Sequence, residues 1–75
     1  MSYSNYLKKI SWLIQLLKQE DTGPANILAQ KIGVSRRTIF RYMDELRLNG
    51  AEICYSKSKG TFYLKNHFDM TEDFF

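Results

Sequence analysis

The stretch that decides the fold reads LAQKIGVSRRTIFRYM and spans residues 28–43. Ala29, Gly33 and Ile39 follow one another at intervals of four and six residues, which suits two short helices packed across a tight corner. A residue as small as Ala29 lets the two helix axes cross closely, and Gly33 can adopt the left-handed backbone that ends a helix. Ser35 is a good N-cap, because its hydroxyl accepts a hydrogen bond from a backbone N–H two or three residues later. The stretch therefore predicts two helices joined by a corner.

The second of these helices has a basic outer face. Cations in the first turn oppose the helix dipole at a cost on the order of a few tenths of a kcal/mol, so a purely structural helix would avoid them. A helix with such a face suits the major groove of duplex DNA. With Ile39 pointing inward, helical geometry leaves four side chains largely on the outer side: Arg36, Arg37, Phe40 and Arg41.

These residues resemble the helix-turn-helix of the winged-helix domain that opens many bacterial transcription regulators, including the deoxyribonucleoside-repressor-like, biotin-repressor-like and WYL-domain-bearing types. The similarity runs from about Tyr6 to Leu64 and includes GAEICYSKSKGTFYL, residues 50–64, which is similar to the family's wing hairpin. One departure is Tyr42, where many relatives carry an acidic residue.

The resemblance implies an α+β fold that is mostly α, with three helices followed by a C-terminal β-hairpin wing. Relatives often add a short strand between the first two helices. The implied function is sequence-specific binding of double-stranded DNA by a transcription regulator. The third helix, residues 35–49, would lie in the major groove, and the hairpin, residues 51–66, would be the wing.

Length and composition restrict the other possibilities. With 75 residues, of which 44% are hydrophobic, the chain has room for one small core and none for an additional catalytic domain. No segment has the ~20 apolar residues of a membrane span, so we expect a soluble cytoplasmic protein. Residues 36–65 contain seven Lys and Arg against three acidic residues, whereas residues 66–75 contain three acidic residues and neither Lys nor Arg. This separation indicates a polyanionic partner for the basic half.

Apolar periodicity predicts the three helices. The first covers about residues 4–20, and its apolar stripe at three- and four-residue steps predicts one side of the core. We expect Trp12 and Leu16 to widen that stripe. The second helix begins near Pro24, because proline suits the first turn of a helix. In the second and third helices the residues expected to be buried are Ile27, Leu28, Ile32, Ile39, Met43 and Leu46, with Tyr42 beside them.

After Gly50 the apolar period changes from about 3.6 to 2, which predicts a β-hairpin. The basic sequence Lys57-Ser58-Lys59-Gly60 is its turn. Ile53, Phe62 and Leu64 are expected to point inward, Tyr55 to join the core, and Cys54 to behave as a small buried hydrophobic residue. We place the domain at residues 1–66. Residues 67–75 then form an acidic, aromatic tail that either frays or docks Phe68, Met70, Phe74 and Phe75 on an apolar surface.

The candidate DNA-binding residues of the third helix fall into two groups. Arg36 and Arg37 could reach base edges, where a bidentate contact from arginine to guanine gives ~1–3 kcal/mol of discrimination. Ser35, Thr38 and Arg41 are better placed to contact phosphates and set the register on DNA.

For three further candidates a purely structural role is an alternative to DNA contact. Phe40 either contacts a thymine methyl or covers the second helix from outside, and the sequence leaves both open. Lys57 and Lys59 would be solvated on any hairpin tip. In relatives, however, the wing touches the minor groove or its phosphates, so we include both lysines in the DNA-binding set.

Enzyme activity is not expected. A catalytic thiol at Cys54 would need a positioned base, and the only histidine is His67 in the tail. One Cys and one His cannot close a tetrahedral zinc site, and the sequence lacks a phosphate-binding loop, so we predict no metal, cofactor or small-molecule ligand.

Two other functions stay open. The chain could be a winged helix that docks on a protein, or the N-terminal DNA-binding piece of a larger regulator. A homodimer is plausible in each case, with the first helix or the tail as its interface.

Overall fold

Three helices followed by an antiparallel β-hairpin form a winged helix-turn-helix that is mostly α. The computed structural model describes residues 3–68, with side chains from residue 5 onward. Its elements are α1 (Tyr3–Gln19), α2 (Ala25–Ile32), α3 (Arg36–Leu48), β1 (Ile53–Ser56) and β2 (Thr61–Leu64). Their order and bounds confirm the predicted fold class, and each predicted helix is placed to within a residue or two.

Helix α1 supplies one side of the core through the predicted stripe. Ile10, Leu13 and Leu17 are fully buried, and Leu16 is nearly so. The prediction for Trp12 is wrong, because 48% of that residue is exposed. At about 100° per residue, Trp12 lies about 200° around the helix from Ile10 and thus on the opposite side.

The corner between α2 and α3 forms as the sequence predicts. Gly33 has φ 85° and ψ 36°, which is left-handed, and its N–H donates to the Ala29 carbonyl over 2.8 Å. Ser35 then caps α3 and accepts a hydrogen bond from the Thr38 N–H. Helix α2 buries Leu28 and Ile32 but not Ile27, so the prediction for Ile27 is wrong. That side chain lies against the loop backbone, since a Cβ placed on Gly23 would meet its Cγ2 at 3.3 Å.

Helix α3 closes the core from the other side. Ile39, Met43 and Leu46 are fully buried, as predicted. Tyr42 is also buried, and its ring meets the Tyr6 ring edge to face at a centroid distance of 5.5 Å. The Tyr6 hydroxyl donates to the Glu45 carboxylate. The residue that departs from the family pattern therefore belongs to the contact between α1 and α3.

The hairpin packs one face against the helices. In its register Ile53 pairs with Leu64, and Tyr55 pairs with Phe62. Ile53 is buried, while Phe62 and Leu64 are half-buried and pack on the core, so the inward face was predicted correctly.

Two predictions for β1 are wrong. Tyr55 is 43% exposed, and it lies two pairs nearer the tip than Ile53, with the ring of its cross-strand partner Phe62 at 4.8 Å. Cys54 is only half-buried, since alternation places it on the other face of the strand.

Side-chain hydrogen bonds tie the loop after α1 to β2. Thr22 and Thr61 are both buried, and their hydroxyl oxygens are 3.0 Å apart. The Thr22 N–H donates to Thr61 Oγ1 over 3.0 Å, and the Phe62 N–H donates to Thr22 Oγ1 over 2.9 Å. In the described chain no strand forms between α1 and α2. The threonine pair satisfies the backbone N–H groups of Thr22 and Phe62.

The last described residue, Phe68, is buried in the core with 7% of its surface exposed. The tail thus docks this ring, one of the two outcomes left open by the sequence. The docking predicted for Met70, Phe74 and Phe75 lies outside the described residues.

Candidate nucleic-acid interface

The start of α3 is held in one geometry by two side chains. Ser35 Oγ accepts from the Thr38 N–H over 3.1 Å and donates to Thr38 Oγ1 over 2.9 Å. Ser35 is exposed and Thr38 half-buried. The cap fixes where the helix begins, and it thereby fixes the direction of the arginine side chains that follow.

Arg36, Arg37 and Arg41 are exposed on α3, and the first turn of this helix contains no acidic residue. Within residues 3–68, none of the three forms an ion pair with a carboxylate. Their charges, together with the positive end of the helix dipole, are therefore available to an anion from outside the domain.

Two other basic residues of the helical region, Lys31 and Arg47, differ from these three arginines in having partners in the fold. Lys31 donates to the Asp21 carbonyl over 2.8 Å. Arg47 pairs with Asp44 at 3.2 Å, and its other terminal nitrogen donates to the Ile53 carbonyl over 3.2 Å. Arg47 therefore links α3 to the hairpin. This structural role accounts for Arg47, which is not among the predicted DNA-binding residues.

Phe40 is 39% exposed beside these arginines. The Arg36 guanidinium lies over its ring, with Cζ 5.6 Å from the ring centroid. A cation over an aromatic face at this distance is an attractive arrangement. The exposed part of the ring thus shares one surface with the Arg36 charge.

The hairpin tip carries Lys57 and Lys59, both exposed. Lys59 Nζ is 2.9 Å from Glu20 Oε1, just beyond the end of α1. The pKa of Lys59 is raised above its ordinary value, first by this side-chain hydrogen bond and then by the Glu20 charge. The tip therefore lies beside the end of α1, and one of its two cations already has a partner.

Sequence reasoning missed Glu20, because it lies 39 residues from Lys59 and directly follows a helix, where an acidic residue has no distinctive pattern. The eight predicted residues form two groups. Six lie on α3 and its cap, and two lie on the hairpin tip.

Among the described residues, no three His, Cys, Asp or Glu side chains are grouped closely enough to hold a metal ion. Between residues 3 and 68, no helix has the length and apolar character needed to cross a membrane.

A capped helix with an exposed basic face, preceded by a tight corner and followed by a hairpin, defines the class of winged helix-turn-helix DNA-binding domains. The comparison with protein families agrees, because the model of a family described as an HTH domain matches residues 8–62. The chain belongs to this helix-turn-helix family, a non-catalytic DNA-binding family typical of regulators like the deoxyribonucleoside and biotin repressors. No curated protein and no solved structure matches the chain.

Proposed function

We propose that the chain binds double-stranded DNA in a sequence-specific manner, as a transcription regulator of the cytoplasm. The observation that carries this proposal is the Ser35-capped helix α3, whose exposed arginines have no carboxylate partner within residues 3–68. Membership of a DNA-binding family supports it.

In this proposal α3 enters the major groove and residues 51–66 serve as the wing. Arg36 and Arg37 read base edges from the first turn. Ser35, Thr38 and Arg41 contact phosphates and set the register. Lys57 contributes a phosphate contact from the hairpin tip, and Lys59 can do so only by exchanging Glu20 for a phosphate.

The test begins with selection of bound sequences from a random duplex pool at moderate salt. Affinities of Arg37→Ala and Lys57→Ala are then measured on the selected and on a random duplex over a range of salt. Loss of a base contact by Arg37→Ala should cost ~1–3 kcal/mol on the selected duplex and far less on the random one. Loss of a phosphate contact by Lys57→Ala should weaken both equally and flatten the salt dependence by about one unit of slope.

Lys8→Ala provides the matched control, because Lys8 is an exposed lysine on α1 outside the proposed interface. Equal losses for Arg37→Ala on both duplexes would contradict its base-reading role. A slope that Lys57→Ala leaves unchanged would remove the wing from the interface. Failure to select any sequence, together with little salt dependence, would contradict DNA binding itself.

The exposed Trp12 favours a second candidate function, docking on another protein chain, with a homodimer as the simplest case. A tryptophan that is 48% exposed has a large apolar surface in contact with water. Because Trp12 is the only tryptophan, its fluorescence reports directly on this surface. A blue shift with rising protein concentration, matched by a doubled mass in sedimentation and lost in Trp12→Ala, would establish the dimer. An unchanged spectrum and mass would exclude self-association through Trp12.

A further inference from the structure

We propose that Arg36 and Phe40 act as one recognition unit that reads a thymine and a guanine on neighbouring base pairs. This inference rests on the proposed function and adds to it the DNA feature that α3 selects. The observation behind it is the contact between the Arg36 guanidinium and the Phe40 ring on the exposed face of α3.

The two side chains have complementary chemistry for the major groove. The guanidinium donates to two acceptors at once, which matches O6 and N7 of guanine. The phenyl ring has no donor or acceptor, so the group it can recognise there is the thymine methyl. Cytosine lacks that methyl, and therefore an apolar contact at Phe40 discriminates against a C·G pair at the same position.

The spacing of the two side chains indicates neighbouring base pairs. Residues four apart lie on the same side of a helix, one above the other. The 5.6 Å between Arg36 Cζ and the Phe40 centroid is shorter than the rise across two steps of duplex DNA, ~6.8 Å at 3.4 Å per step. Contacts two base pairs apart would require the side chains to separate. The arrangement in the free domain instead fits adjacent pairs.

The exposure of Phe40 also favours this role over packing alone. A ring that only covered α2 would be expected to be almost fully buried, as Phe68 is with 7% exposed, yet 39% of Phe40 is exposed. The Arg36 cation restrains that ring through its face. The unit is therefore ordered before DNA arrives, and less side-chain freedom is lost on binding.

The decisive experiment changes the DNA rather than the protein. Each thymine of the selected duplex is replaced in turn by deoxyuridine, which removes only the methyl group. We expect one replacement to weaken binding of the wild-type domain about fourfold, the value of one buried carbon in apolar contact. A 7-deazaguanine, which lacks the N7 acceptor, should weaken binding at a base pair next to that thymine.

Two protein variants then assign the contacts. Phe40→Ala should bind thymine and deoxyuridine duplexes equally, and Arg36→Ala should lose its response to 7-deazaguanine. Arg41→Ala is the matched control, because it removes a neighbouring exposed arginine and should keep both responses. Thermal unfolding of each variant verifies that the fold is intact.

The inference is overturned if no thymine in a selected site responds to deoxyuridine, and this outcome leaves specific DNA binding intact. It is also overturned if the response persists in Phe40→Ala, or if the responding thymine and guanine are not on adjacent pairs. Absence of any selected sequence would instead count against the proposed function, so the two failures are distinguishable.

Discussion

Replacing Thr22 by valine should weaken the attachment of the wing hairpin to the loop after α1, leaving the backbone N–H of residue 22 as a donor to Thr61 Oγ1. Valine matches threonine in shape but has no hydroxyl, so packing is preserved while the hydrogen bonds of the Thr22 hydroxyl are lost. The Phe62 N–H then loses its acceptor, the Gly23 carbonyl loses the Thr22 hydroxyl as its donor, and the Thr61 hydroxyl loses one of its partners. Thr61 Oγ1 keeps its bond to the Phe62 carbonyl at 3.0 Å.

The magnitude of the Thr22→Val effect follows from these losses. An unsatisfied buried donor costs about 1–3 kcal/mol, and a net hydrogen bond contributes about 1 kcal/mol. We therefore expect the free energy of unfolding to fall by roughly 2–3 kcal/mol. In a domain of this size about 1 kcal/mol shifts Tm by about 4–8 °C, so Tm should drop by roughly 10–20 °C.

Urea unfolding followed by circular dichroism measures this change. Thr22→Ser is the control, because it keeps the hydroxyl and loses one methyl group, at about 1 kcal/mol. The double variant with Thr61→Val should cost about 1 kcal/mol less than the sum of the single variants, since the hydroxyl–hydroxyl bond is lost only once. If Thr22→Val is as stable as Thr22→Ser, the hydrogen bonds do not hold the hairpin, and the reasoning is refuted.

Two further predictions concern the wing and the core. Glu20→Gln should free Lys59 to contact a phosphate. DNA binding should then strengthen about two- to fivefold at low salt, the range typical of exposed ion pairs. Equal affinity of wild type and variant would mean that Lys59 does not contact the DNA. Phe68→Ala should lower the free energy of unfolding by about 3 kcal/mol. Leu48→Ala, at a residue 87% exposed, should change it by less than about 0.5 kcal/mol, and equal effects in urea unfolding would place Phe68 outside the core.

The corner of this fold was predictable because its determinants are local. The left-handed conformation of Gly33 and the cap at Ser35 depend on residues within four positions of each. Burial of Ile39 follows from helical period once the cap is placed. The exposed arginine face is then set by geometry, which is why the sequence located this part of the candidate site.

Other features depend on contacts that no local pattern records. Trp12 and Ile27 lie at the edge of the apolar stripe predicted for their helices. Whether such an edge residue is buried depends on the positions of neighbouring elements, which the periodicity of the helix does not give. The same holds for Tyr55, which alternation places on the same face of β1 as Ile53 although 43% of its surface is exposed. Glu20 and Lys59 are 39 residues apart. The sequence therefore predicted Lys59 as an unpaired lysine of the wing, whereas it has a partner in the fold.

The contact between the two buried threonines also bears on the order in which the domain forms. Thr22 and Thr61 are 39 residues apart, and closing a flexible segment of about 40 residues costs roughly 3 kcal/mol of chain entropy beyond a constant. The corner at Gly33 requires no such closure. We therefore expect the corner between α2 and α3 to form before the hairpin packs against the helices.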